Sequence, residues 1–204
     1  MLREFLIAAL ERAAVRRFGV GPPLPIVVQL ESARQRLSRL AEVQAETRAD
    51  GWVIERVEEK FLLEACGLSI SGKIDWIDRH EKTGALRILD YKTSDQPVSP
   101  IEAHLSSVRR DEVPADFAWC EIGGRQVIWR DLQLPLYLRA LAGEGGPVEC
   151  GYFNLPKAIG GTGIRLWEDH TPEIAASAWC CAEGVAAAIR SGVFWPPNEA
   201  VDPE

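Results

Sequence analysis

The densest chemistry in the chain lies in two apolar segments. Asp75 stands in Gly72-Lys73-Ile74-Asp75-Trp76-Ile77-Asp78, and Asp90 and Lys92 in Leu89-Asp90-Tyr91-Lys92-Thr93. Asp90 and Lys92 are two apart on a strand, so they share one face. A turn near Lys82 and Thr83 separates them from Asp75, and a hairpin symmetric about it sets positions whose numbers sum to 165 opposite each other. Asp75 and Asp90 are such a pair, with Cβ atoms roughly 5 Å apart. A slip of one residue would turn Asp75 to the other face. Two carboxylates this close repel unless a proton or a cation lies between them. A hard divalent ion with oxygen ligands, Mg²⁺ or Mn²⁺, is the natural occupant. The Lys92 ammonium would then hold an attacking water or a phosphate oxygen at the edge of the metal. Metal plus lysine beside a phosphodiester is a recipe for hydrolysis. A bare Asp-x-Lys is more commonly a surface ion pair. Here Ile88 and Leu89 precede Asp90, while Ile74, Trp76 and Ile77 surround Asp75. Charges in such strands are costly unless a site requires them.

These residues need elements to hold them. Residues 2–17 place Leu2, Phe5, Leu6, Ala9, Leu10 and Ala13 on one helical stripe, which glycines and prolines at 19–25 end. A second helix follows over 28–47, with Leu30, Ala33, Leu37 and Leu40 inward. After Gly51 the texture turns to strands, at 53–65, 67–79 and 86–94. The segments 118–122 and 125–129 flank Gly123 and Gly124 as a β-hairpin. A helix over 131–143 carries Gln133 and Tyr137, which are four apart and reach a common neighbour. Leu132, Leu136 and Leu138 make packing the alternative role for that helix. Strands at 150–156 and 163–169 precede a last helix over 172–191, with Ile174, Ala178, Cys181, Val185 and Ile189 inward. The reading is a single domain over 1–204, with a helical part at 1–50 and a core at 51–195. The order of elements indicates an α/β or α+β sandwich. The brevity of the part before Gly51 leaves room for a larger N-terminal context, though Met1 permits a complete protein.

Composition narrows the function classes. At 204 residues, 47% hydrophobic and 26% charged, the chain buries a core without staples. No apolar run is long enough to cross a membrane, and the acid-bearing N-terminus is not a signal peptide, so a cytoplasmic location is expected. Five cysteines with no CxxC pair read as reduced thiols, Cys180 and Cys181 as helix packing. A net charge of −7 argues against a protein that coats nucleic acid by bulk electrostatics. It is compatible with a carboxylate-built metal site acting on nucleic acid. Arg34, Arg36, Arg39, Arg109 and Arg110 are candidate phosphate contacts, set against the commoner role of a solvated face.

Taken together, GKIDWID, GALRILDYKTS and DLQLPLYLRAL resemble the PD-(D/E)XK nuclease superfamily, specifically its RecB-like branch. That branch shows a G-[RK]-I-D-x-[IV]-D strand, a [IV]-[LV]-D-Y-K-T strand and a Q-x-x-x-Y helix, in this order. The resemblance spans about residues 50 to 195. It implies a restriction-endonuclease-like core, a central mixed β-sheet flanked by helices. It implies that Asp75, Asp90 and the carbonyl of Tyr91 bind Mg²⁺ or Mn²⁺, that Lys92 orients the water, and that Gln133 and Tyr137 lie beside the site. An upstream acid is expected as well. Glu58, Glu59 and Glu64 all qualify, and Glu58, three before Phe61, stands where relatives often carry Glu. DNA is the implied substrate and exonuclease action in recombination or repair the implied activity, free-standing or with a helicase subunit or domain.

The chain also departs from that pattern. RecB-like members commonly have a metal-binding His in an early helix, and Ile7 stands near the expected position. His80, His104 and His170 fall elsewhere. Some relatives hold an iron–sulfur cluster through cysteines after a G-x-F-x-P segment. Here Gly192-Val193-Phe194-Trp195-Pro196-Pro197 is followed by no cysteine, so no cluster is expected. The missing histidine and the acidic charge sustain a second reading, a catalytically degenerate fold serving as a DNA-binding or scaffolding module. Intact Asp75, Asp90 and Lys92 count against it.

Overall fold

The computed structural model describes residues 1–193. Two helices lead, α1 (Leu2–Phe18) and α2 (Leu24–Ala49), followed by the strands β1 (Trp52–Ala65), β2 (Leu68–His80) and β3 (Leu86–Lys92). A short helix α3 (Pro100–His104) runs into β4 (Leu105–Ser106), and the hairpin β5 (Trp119–Ile122) and β6 (Arg125–Trp129) precedes α4 (Gln133–Leu141). The chain then forms β7 (Val148–Asn154), β8 (Gly163–Leu166) and α5 (Pro172–Arg190).

The main sheet has five strands in the order β1-β2-β3-β7-β8, and β4-β6-β5 form a smaller one. Pairing is antiparallel except between β3 and β7, so the main sheet is mixed. Alternation along β3 sends Leu86 and Ile88 to one face and Leu89 to the other. On the first face α4, α5 and the small sheet bring Leu134, Leu141, Ile174, Ala178 and Trp129. On the second face Leu40 and Val43 of α2 cover Trp76, Leu89 and Phe153. Helices on both faces of a mixed sheet are the architecture the sequence indicates.

Two amphipathic assignments differ in detail. No residue of α1 is buried, and Phe5 is 64% exposed, because α1 packs mainly on α2 and only Leu6 reaches the core beneath. In α5 the buried stripe runs through Ile174, Ala178, Ala182 and Ala186, so Val185 and Ile189 turn to solvent. Small side chains at that spacing let the helix lie close to its neighbours.

Candidate active site

The β2–β3 hairpin holds the register that symmetry about its turn demands. Trp76 faces Leu89, Ile77 faces Ile88, Asp78 faces Arg87 and Arg79 faces Leu86. Continuing that register by one step sets Asp75 beside Asp90. The Asp75 carboxylate turns onto the β3 backbone there, its Oδ2 accepting from the Tyr91 N–H at 3.3 Å. Asp78 is three residues from Asp75 and points to the opposite face. There it accepts from Arg87 at 2.6 Å and from the indole of Trp76.

Asp90 is 4% exposed, yet both its oxygens are engaged. Oδ2 meets the Lys92 ammonium at 2.8 Å, and Oδ1 accepts from Gln133 Nε2 at 2.9 Å. Burial pushes the Asp90 carboxyl above its ordinary range, and the Asp75 charge adds to this, while Lys92 pulls the other way. The Gln133 amide closes the set, because its Oε1 accepts from Lys92 Nζ at 3.0 Å. An ammonium only donates, so oxygen must face it and the amide nitrogen must face Asp90. Nε2 also donates to the Tyr137 hydroxyl at 3.0 Å, and the Tyr137 ring packs edge-on to Phe61. Gln133 is the first residue of α4, and its N–H is capped by Asp131 Oδ1 at 2.7 Å.

The sequence-identified residues thus divide. Asp75, Asp90, Lys92, Gln133 and Tyr137 come together. The Tyr91 side chain lies on the opposite face, its ring tilted against those of Trp76 and Phe153, while its backbone N–H meets the Asp75 carboxylate. Glu58 falls opposite Asp75 in the β1–β2 register, but that pair is skipped, and its φ of 52° is left-handed. Its carboxylate is exposed and bound by Lys73. The guanidinium groups of Arg34 and Arg39 are paired with glutamates of the same helical hairpin, as the solvated-face role expects. The Phe194–Pro197 segment lies outside the described residues, and all five cysteines are free thiols.

Three residues around Lys92 were not singled out for this site from the sequence. Tyr152 pairs with Asp90 across β3–β7, and its ring centre is 4.7 Å from Lys92 Nζ. His104 is fully buried at the end of α3, and Asp131 precedes α4. The signal for Tyr152 was a tyrosine in a strand, but the sequence does not say which strand pairs with β3. His104 lies in a segment with no periodicity to place it.

A family model for the PD-(D/E)XK nuclease superfamily matches residues 2–200, and the chain belongs to that superfamily. No curated protein shows significant similarity to the chain. Membership fits the fold, a restriction-endonuclease-like α/β core, and supports a nuclease hydrolase. Nucleases of this superfamily generally use divalent metals. Among the described residues no group of three or more His, Cys, Asp and Glu side chains converges. Two carboxylates and a backbone carbonyl nevertheless suit Mg²⁺, which keeps several waters and takes one or two carboxylates plus substrate phosphate oxygens. The donor set fits a hard cation. No helix of the described residues is long and apolar enough to cross a membrane.

Proposed function

We propose that this protein is a Mg²⁺- or Mn²⁺-dependent deoxyribonuclease of the RecB-like branch, acting on DNA ends as a cytoplasmic exonuclease. The observation that carries it is the closed set Asp90–Lys92–Gln133 beside Asp75, on one face of the central sheet. Asp75, Asp90 and the Tyr91 carbonyl would hold the ion, which supplies charge neutralisation at the phosphate and a more acidic bound water. Lys92 has three N–H donors. Asp90 and Gln133 take two, and the third is available to an attacking water or a non-bridging phosphate oxygen. Gln133 holds that geometry, and Tyr137 holds Gln133. A working unit of 1–204, with 1–50 as a helical part before a 51–195 core, is consistent with α1 and α2 standing ahead of the sheet. A helicase subunit or domain is the partner the RecB-like motifs suggest.

The test uses end-labelled linear single- and double-stranded DNA and closed circles, with Mg²⁺ or Mn²⁺. Linear DNA should be degraded and circles spared. Asp90→Asn should lose Mn²⁺ affinity and cleavage together. Lys92→Ala should still bind Mn²⁺ by calorimetry while cleavage falls on the order of 10²-fold or more, as for removal of one preorganised transition-state contact. Equal cleavage by Lys92→Ala would remove the lysine from the mechanism. Failure of wild type to bind either metal or DNA would favour the scaffolding module.

A further inference from the structure

Beneath Lys92 lies a buried polar pair that the proposed reaction leaves unused. Tyr152 is wholly buried with its ring under the ammonium, and its hydroxyl lies 2.9 Å from His104 Nε2. His104 Nδ1 lies 2.8 Å from the backbone carbonyl of Asp131. A carbonyl only accepts, so Nδ1 carries the proton. In the neutral ring Nε2 is then an acceptor and takes the Tyr152 O–H. The His104 ring is clamped by Trp167, stacked at 5.0 Å with planes 7° apart. Asp131 in turn caps the start of α4 through Gln133 N–H. One fixed imidazole therefore anchors both the ring below Lys92 and the turn that presents Gln133, the other neutral partner of Lys92.

We propose that Tyr152, pinned through its hydroxyl by His104, is a positioning residue that orients the Lys92 ammonium for hydrolysis. Packing alone does not call for these groups. A buried hydroxyl and imidazole each cost desolvation, which Phe and Leu would avoid. What they add is direction. The ring face attracts the cation, while the hydrogen bonds to Asp90 and Gln133 fix its rotation. The inference rests on the nuclease reading for its catalytic meaning, and on geometry alone for the contact.

The experiment compares wild type, Tyr152→Phe, Tyr152→Leu, Lys92→Ala and the Lys92→Ala/Tyr152→Leu double variant. Tyr152→Leu should lower kcat on the order of 10-fold, leaving KM for DNA and Mn²⁺ affinity unchanged. Tyr152→Phe keeps the ring but loses its pin to His104, so its kcat should fall between those of wild type and Tyr152→Leu, and a wild-type rate in Tyr152→Phe would overturn the role of the hydroxyl. The double variant should be no slower than Lys92→Ala, since Tyr152 acts through the lysine; additive losses would overturn the proposal. A second readout needs no cleavage. The chain has five lysines, and peptide-resolved acetylation should speed up at Lys92 in Tyr152→Leu while Lys60, Lys73, Lys82 and Lys157 react as in wild type. An unchanged Lys92 rate in that folded variant would sink the idea. Should Tyr152→Leu not fold, Tyr152→Phe decides: the ¹⁵N signal of His104 Nε2 must shift when its donor is lost, and an unmoved signal overturns the anchor. If wild type leaves DNA intact while Lys92 acetylation follows Tyr152, the nuclease reading fails and the positioning contact stands.

Discussion

Gln133 shows how one neutral side chain orders a charged site. Its amide can be placed only one way, with oxygen on Lys92 and nitrogen on Asp90, so it fixes the orientation of a lysine and a carboxylate that already touch. Gln133→Ala removes both bonds and leaves the Lys92–Asp90 pair at 2.8 Å free to rotate as a unit. Cleavage should fall by about 10-fold through lost orientation, with Mn²⁺ affinity changed much less, because neither candidate carboxylate is altered. Parallel calorimetry and single-turnover cleavage check this. A loss of Mn²⁺ binding as large as the loss of rate would mean that Gln133 holds Asp90 in place for the ion rather than Lys92 for the water.

At the scale of elements, the strands that present the site are held by two contacts far less tolerant than their exposed ends. Asp78 and Arg87 form a buried ion pair on the face away from the site, with the guanidinium lying 4.2 Å from the Trp52 ring centre. Asp78→Ala leaves that guanidinium without its carboxylate and should destabilise the fold by about 3–5 kcal/mol, read from the urea midpoint. Gly151 packs where β7 meets β8, and a Cβ there would come within 2.2 Å of the Arg165 carbonyl. Gly151→Ala must push the strands apart and should cost about 1–3 kcal/mol. It would also move Tyr152, so activity should drop at temperatures where the variant is still folded. The β2–β3 hairpin was legible in the sequence because a period of two and a short turn leave only one register that buries Ile77 and Ile88 and brings Asp75 to Asp90. The 119–129 hairpin was legible for the same reason. The parallel β3–β7 pairing was not, since a long crossover separates the strands and nothing local marks the partner. Nor were α3 and the two-residue β4, too short to show a period. Tyr152 and His104 depend on those two features, so the carboxylate, lysine and glutamine part of the site could be read while its support could not.

The whole molecule stores part of its stability in keeping imidazoles uncharged. His104 and His170 both have pKa values held below the ordinary range, burial being the first cause in each. They flank Trp167, His104 stacked on it and His170 edge-on at 5.1 Å. Asp131 draws the His104 value upward and Lys92 downward, while His104 lowers that of His170. An unfolded histidine takes its proton near pH 6.5. Below that point the unfolded chain binds more protons than the folded one, so stability is full above about pH 6.5 and declines as pH falls toward the folded values. Carboxylates lowered by arginine partners, such as Glu55 and Glu144, act in the same direction but only in the more acidic carboxylate range. Asp90, raised by burial, acts oppositely, adding stability as its carboxyl takes up a proton. From about pH 6.5 downward the histidines should set a declining slope, against the opposite contribution of Asp90. Melting temperature should fall steadily across that interval in wild type. His170→Phe keeps an aromatic ring against Trp167 without a titrating group, so its curve should be flatter while the decline due to His104 persists. A wild-type melting temperature that is flat from pH 7 to 5, or an equal slope in His170→Phe, would show that these buried rings do not carry the acid sensitivity.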